Sequence, residues 1–387
     1  MPNSLIYSHL YAWYDANHRV LPWRDTEDPY AIWLSEIILQ QTRVAQGMEY
    51  YMRFVARWPK VEDLAAAKEE EVLREWQGLG YYSRARNLHK AAIQIVESQK
   101  SKVESGALSG YRFPRTFEDI RSLPGIGDYT AGAIASFAYN QPYPAMDGNV
   151  YRVLARLLDI DEPFDTTAGK KLFRKEIDRL LDRNNPRLFN SAIMEFGALY
   201  CTPTLGDACE TCPLKDACLG YAHGTAELLP VRKARPKVRD RWFIYHIYLL
   251  ENTDRSADRI QNTDLFTLIQ KRENPKDIWY HLYDFPYEEL SDSNEDPTAE
   301  GGLTAKRSNS VSDPTAKRSV LCQPQAVCEL SHTLSHQRIH ARYIIHKVQK
   351  MPDLPGTIAI PWEDLNDYAL SRLTLRALDT LRSVLPR

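Results

Sequence analysis

The chain has 387 residues, 43% of them hydrophobic and 26% charged, with 49 Lys+Arg against 51 Asp+Glu. This length accommodates two or three folded domains and the composition excludes a wholly disordered chain. The even charge excludes a uniformly basic nucleic-acid binder, so any DNA footprint must be local. No apolar N-terminal h-region and no run of 18 apolar residues occurs, which points away from secretion and membrane spanning and toward the cytoplasm.

Residues 1–60 read as helices, the first broken from the next at Leu21-Pro22-Trp23-Arg24. The run from Ala31 to Thr42 is apolar nearly all round, so the helix it predicts is buried. Glu36 lies inside it. Burial disfavours the charged carboxylate and raises its pKa; on the run alone, a satisfied structural glutamate in a core ion pair is the favoured reading. Residues 60–110 alternate helices with short polar turns.

The next stretch reads as two helices joined by a hairpin. Thr116 with Asp119 forms a capping-box pattern. Leu123-Pro124 ends the first helix, because the residue before proline avoids the helical region. Gly125 and Gly127 supply unusual backbone angles. A second helix starts near Asp128, rich in small residues, and its first N–H groups suit a DNA phosphate; a turn without ligand is the alternative. Asp147 precedes the apolar pattern Val150, Val153, Leu154, Leu157 and is a predicted N-cap, where backbone N–H groups favour the ionised form.

Two more helical patterns fill 166–200. Then comes Cys201-(x7)-Cys209-(x2)-Cys212-(x5)-Cys218, four of six cysteines. This spacing suits an iron–sulfur cluster or structural zinc equally.

Composition shifts after residue 225. Residues 226–240 form a basic, proline-marked linker. Strand patterns follow at 242–251 and 264–271, then the aromatic segment 278–286. Residues 287–320 are acidic, then Ser/Thr-rich, and carry a short internal repeat, which predicts an insertion without a core. Strands resume over 328–348, and a helix pattern closes the chain at 371–384. His332-Thr333-Leu334-Ser335-His336 falls between strand-like runs.

Leu34-Ser35-Glu36-Ile37-Ile38-Leu39-Gln40-Gln41-Thr42, Trp23-Arg24, and Gly78-Leu79-Gly80-Tyr81-Tyr82-Ser83-Arg84-Ala85-Arg86-Asn87-Leu88 closely resemble the adenine DNA glycosylases of the MutY family. The hairpin with its Gly/Pro…Asp pattern resembles the wider helix-hairpin-helix glycosylase superfamily. The resemblance implies a multidomain protein. An all-α helix-hairpin-helix domain with an iron–sulfur loop would span 1–225, and a C-terminal α+β Nudix-like domain 241–387. Implied catalytic residues are Glu36 as general acid, Asp147, Tyr129 and Asn149. Implied DNA-binding residues are Arg24, Leu39, Gln41, Thr42, Tyr81, Gly125 and Gly127, with Gln41 and Tyr81 as wedges in the base stack. Leu334, Ser335 and His336 resemble the family's 8-oxoguanine-inspecting Phe-Ser-His loop, with Leu334 in place of Phe. Cys201, Cys209, Cys212 and Cys218 would bind a [4Fe–4S] cluster, the first gap being one residue longer than usual.

The implied partner is double-stranded DNA carrying adenine opposite 8-oxoguanine, met by a monomeric, bacterial, cytoplasmic enzyme. A bifunctional lyase of the endonuclease III kind would need a lysine where Tyr129 stands, and no lysine occurs between Leu123 and Asn149. A non-catalytic iron–sulfur DNA-binding module would need neither Glu36 nor Asp147.

Overall fold

The structure is a computed structural model that describes residues 3–233, 238–251, 265–290, 327–334 and 337–381. Residues 234–237 of the basic linker, the repeats within 291–320, and both Ser335 and His336 lie outside the described residues. The chain divides into two compact units. One comprises Met1–Ala67 and Arg84–Arg235; the other comprises Lys68–Ser83 and Pro236–Arg387. The 16-residue segment 68–83 therefore belongs with the C-terminal part of the chain, although in sequence it sits inside the helical half.

The helices run α1 (Asn3–Asn17), α2 (Pro29–Ile38), α3 (Val44–Arg57), α4 (Val61–Ala66), α5 (Glu69–Glu75), α6 (Ser83–Glu104), α7 (Phe117–Arg121), α8 (Asp128–Tyr139), α9 (Gly148–Leu158), α10 (Thr167–Leu180), α11 (Pro186–Leu199) and α12 (Leu219–Ala222). In the first unit α2 packs on α3 and α8, and α11 packs on α1, α8 and α9. Helix α2 starts where Asp28 accepts a hydrogen bond from the Tyr30 N–H, with Pro29 in the first turn. Every residue from Tyr30 to Ile38 is buried, as the nearly all-round apolar run predicts, but the helix ends at Ile38 and not at Thr42. Full burial of Ile32, Leu34, Ile37 and Ile38 contributes about 1.5–3 kcal/mol each. That outweighs the ~1–3 kcal/mol needed to desolvate one neutral polar group, so the helix carries Glu36 into the interior.

The hairpin is α7, a turn and α8. Thr116 caps α7: its Oγ1 accepts from the Asp119 N–H at 3.1 Å. The same hydroxyl donates to the Asp119 carboxylate at 2.7 Å instead of leaving that carboxylate to the backbone. Only one of the two hairpin glycines needs an unusual backbone. Gly125 has φ +78°, and a Cβ there would stand 2.7 Å from Asn87 Cβ. Gly127 is extended, φ −99°, and caps α8 without a side chain, so the first N–H groups of α8 are left to another acceptor.

The second unit is a seven-stranded mixed sheet, β1 (Arg239–Glu251), β2 (Leu265–Lys271), β3 (Tyr283–Asp284), β4 (Tyr287–Leu290), β5 (Val327–Thr333), β6 (Gln337–Val348) and β7 (Thr357–Pro361), with α13 (Arg372–Leu381). The path is β3-β2-β1-β6-β5, with β4 added on β1 and β7 on β2. Strands β1 and β6 pair in parallel from Arg239↔Gln337 to Leu250↔Val348; the other pairs are antiparallel. Alternate residues Phe243, Tyr245, Ile247 and Leu249 of β1, and Ile339, Ala341, Tyr343 and Ile345 of β6, face the core. Residues 287–290, assigned from sequence to the insertion, instead form β4: the Tyr287 position pairs with Tyr245 and Leu290 with Trp242. Tyr287-Glu288-Glu289-Leu290 has two adjacent acids and no alternation, so nothing local separates it from the acidic stretch that follows.

Candidate active site

Glu36 is 8% exposed on α2. Burial is the main influence on it and raises its pKa; a hydrogen bond from the Tyr129 hydroxyl and the charge of Arg24 oppose this, and the charge of Asp147 adds to it. Tyr129, one position into α8, has its phenol pushed well above its ordinary value by burial and by the Glu36 and Asp147 carboxylates. Three elements thus bring Glu36, Tyr129, Asp147 and Arg24 into one electrostatic neighbourhood. Arg24 also lies 5.4 Å from the Phe137 ring centroid.

Asp147 is the N-cap of α9, as the sequence predicts. Its Oδ1 accepts from the N–H of Asn149 at 2.9 Å and of Val150 at 2.8 Å, and its Oδ2 from Asn149 Nδ2 at 2.7 Å. Burial nevertheless raises its pKa; the three hydrogen bonds and Arg152 pull the other way. Both lobes of the carboxylate are pinned, so it points in a fixed direction and keeps lone pairs for a cation. Asn149 is fixed in turn. Its Oδ1 accepts from Arg152 Nη2 at 2.8 Å, and Gly197 of α11 lies so close that a Cβ there would meet Asn149 Cβ at 2.8 Å. Arg152 donates onward to the carbonyls of Gly197 at 2.6 Å and Cys201 at 2.8 Å.

At the far end of α2, Leu39 is half-buried and Gln41 is exposed with φ +58°. Thr42 turns back, its N–H donating to the Leu39 carbonyl at 3.2 Å. Sequence reasoning missed the residue that holds this end. The buried guanidinium of Arg84 donates to the carbonyls of Ile37 at 2.9 Å, Ile38 at 3.0 Å and Gln40 at 2.5 Å. It closes the orphan carbonyls of α2 and lets the chain leave sharply toward Gln41. The only signal was an arginine in helical register with Leu88, Ala91 and Ile95 of α6. Also missed was Arg19, which grips Glu195 with two bonds, 2.6 and 2.8 Å. Burial pushes Glu195 up, but Arg19 outweighs it and holds the carboxyl below its ordinary value, with Arg24 adding to the effect.

The remaining site residues lie elsewhere. Tyr81 and Leu334 belong to the second unit. Tyr81 is 40% exposed, not a core tyrosine. Leu334, at the end of β5, donates its N–H to the Gln337 carbonyl at 2.8 Å.

The four cysteines are half-buried thiols around the 3-10 turns that follow α11. Cys201 Sγ accepts from Arg156 Nη1 at 3.3 Å, and Cys218 Sγ donates to the Arg156 carbonyl at 3.3 Å. Burial pushes the Cys212 thiol up to about 12, and Cys201, Cys218 and Cys209 add to it. Burial and the neighbouring thiols likewise raise Cys209 and Cys218. Among the described residues, no set of three or more His, Cys, Asp or Glu side chains closes around a metal position.

Residues 34–180 match the family model described as HhH-GPD superfamily base excision DNA repair protein. The chain is 33% identical over 277 residues to the adenine DNA glycosylase of Buchnera aphidicola subsp. Acyrthosiphon pisum (strain APS), covering 71% of each. It is 32% identical to that of subsp. Baizongia pistaciae (strain Bp), covering 74% of each. The chain belongs to the adenine DNA glycosylase family. It is also 41% identical over 243 residues to the Mus musculus adenine DNA glycosylase, 60% of this chain and 45% of the relative. It therefore spans less than half the length of that mammalian family member.

Proposed function

We propose that the chain hydrolyses the N-glycosidic bond of adenine mispaired with 8-oxoguanine, or with guanine, in double-stranded DNA. The observation that carries this is the meeting of two buried carboxyls with different partners, Glu36 in an apolar helix beside the Tyr129 hydroxyl and Asp147 held by three hydrogen bonds at the start of α9. Adenine leaves poorly as an anion. Glu36, kept protonated by burial, gives a proton to a ring nitrogen so that the base departs neutral. The sugar left behind carries positive charge. The carboxylate form of Asp147, aimed by Asn149 and Val150, stabilises it or bonds to it briefly. Tyr129, bonded to Glu36, holds the acid in position. Glu36, now a carboxylate, activates the water that completes hydrolysis. The base must first leave the stack, at a cost of a few kcal/mol. The bare N–H groups of α8 on the phosphate, with Gln41 and Tyr81 as wedges, offset that cost.

The test is single-turnover cleavage of duplexes carrying adenine opposite 8-oxoguanine, guanine or thymine. Release opposite 8-oxoguanine and guanine supports the reading, and none opposite any of the three overturns it. Asp147→Asn should lower the rate by about 10²–10³, the scale of losing one preorganised electrostatic partner; a near-normal rate would remove Asp147 from this role.

Cys201, Cys209, Cys212 and Cys218 fit a [4Fe–4S] cluster by donor chemistry, since such clusters take four thiolates. Bound there, the cluster would supply structural cross-linking and one-electron redox capacity. Cys212→Ser should lower the iron content of purified protein and bleach its visible absorbance. Colourless wild-type protein with one bound zinc would overturn the cluster assignment.

In the second unit, Leu334, Ser335 and His336 are proposed to read the base opposite the adenine.

A further inference from the structure

The loop Gly78-Leu79-Gly80-Tyr81 has three positive φ angles, +97° at Gly78, +74° at Gly80 and +49° at Tyr81. Glycine adopts such angles freely. An aromatic residue does so at a cost and persists there only when its surroundings over-determine it. Leu370, just before α13, and Arg372, its first residue, supply that constraint within the second unit. Tyr82 is 2% exposed, and its hydroxyl accepts from the Gly78 N–H at 3.4 Å while donating to the Leu370 carbonyl at 3.2 Å. The Leu370 N–H donates to Gln77 Oε1 at 3.3 Å, and Arg372 Nη1 donates to the Gly78 carbonyl at 3.1 Å. Trp76 Nε1 closes the loop onto the Gly80 carbonyl at 3.0 Å. Helix α5, just upstream, is tied to the same unit. Glu70 accepts from Lys271 Nζ at 2.7 Å and from the Tyr283 hydroxyl at 3.3 Å, Glu69 pairs with His281, and Arg74 stands 3.5 Å from Asp367.

We propose that the Leu370–Arg372 junction positions Tyr81 for insertion into the duplex, acting through the Tyr82 hydroxyl and the Gly78 carbonyl. The C-terminal unit then contributes to base flipping as well as to reading the opposite base. The proposal rests on the wedge reading of Tyr81 given above. The physical need is plain: a wedge works against a stack whose opening costs a few kcal/mol, and a loop with two glycines has no stiffness of its own. Tyr82 and Arg372 are positioning residues; neither is assigned contact with DNA.

The experiment uses the full-length protein and a duplex with 2-aminopurine at the target adenine position, its fluorescence reporting flipping. Compared are wild type, Tyr81→Ala, Tyr82→Phe with Arg372→Ala, and the triple variant. Single-turnover rates and melting curves run alongside. Arg342→Ala, which breaks an exposed pair with Glu329 on the sheet, serves as control. Tyr82→Phe with Arg372→Ala should lower the flipping signal and the rate by about tenfold, the scale of one or two lost hydrogen bonds. In the triple variant the losses should not multiply, staying within about twofold of Tyr81→Ala alone, because both changes act through one side chain. Arg372→Ala alone, at an exposed position, keeps the test valid if Tyr82→Phe melts early. Unchanged flipping in the double variant, or losses that multiply in the triple, would overturn the positioning role. If Tyr81→Ala itself flips normally, the wedge reading falls and takes this proposal with it, while a loss in Tyr81→Ala with none in the double variant removes only the clamp.

Discussion

Glu36→Gln should lower single-turnover adenine release by about 10²–10⁴, the range for removing a positioned general acid. Affinity for the uncleaved lesion duplex should stay near that of the wild type. The amide keeps the shape of the carboxyl and its place beside Tyr129 but has no acidic proton to give. The same substitution should raise the melting temperature at pH 7–8. Burial raises the folded-state pKa of Glu36 above its unfolded value. A raised carboxyl contributes stability while protonated and loses it as pH climbs through the folded pKa, and the amide removes that loss. The wild-type rate should be bell-shaped in pH. It falls on the acid side as Asp147 takes up a proton and on the alkaline side as Glu36 loses its own, with both limbs displaced upward because burial raises both groups. The two carboxyls interact, so the limbs report the pair. Near-normal cleavage by the Glu36→Gln variant, or a wild-type rate that rises steadily with pH, would take the acid role from Glu36.

Arg272→Met should cost about 3–5 kcal/mol of folding stability, the usual penalty for removing one partner of a buried ion cluster. The Arg272 side chain is 1% exposed. It stands 2.6 Å from Asp277 and 3.2 Å from Asp284, whose own side chains are 6% and 0% exposed. Tyr287 lies against its face at 3.9 Å, and Trp279 at 4.9 Å. Methionine fills much of the volume but leaves two carboxylates in the core with no cation. Guanidinium chloride denaturation followed by circular dichroism should show the loss, and the double change Arg272→Met with Asp284→Asn should recover part of it. A midpoint unchanged by Arg272→Met would mean that the cluster contributes little to holding the sheet.

Local chemistry made much of this protein legible. The period of α2, its Asp28-Pro29 start, the Thr116 cap and the Asp147 cap are all settled within a few residues of chain, by side-chain pattern and by the need to satisfy the first N–H groups of a helix. Glu36 and Asp147 could therefore be singled out from the string of residues. So could the strand patterns at 242–251, 264–271 and 328–348, whose alternation is a local property and which the structure forms as β1, β2 and the pair β5 and β6. Strand β4 was lost because four residues carry too little pattern to stand against an acidic stretch.

Other features exist only once distant segments meet. Arg84 was one of several charges on α6 until folding laid it on three carbonyls at and just beyond the end of α2. Arg19 and Glu195, 176 residues apart, become one bidentate pair. Arg272 stood one residue beyond a strand, with nothing local to mark it as the centre of a buried cluster. Membership of residues 68–83 in the C-terminal unit is likewise a matter of which surfaces bury each other. Caps and amphipathic periods are decided by neighbours along the chain, and the sequence alone determined them. The partners of buried charges, and the unit to which a segment belongs, depend on desolvation and packing between residues far apart in sequence, and only the tertiary structure decided them.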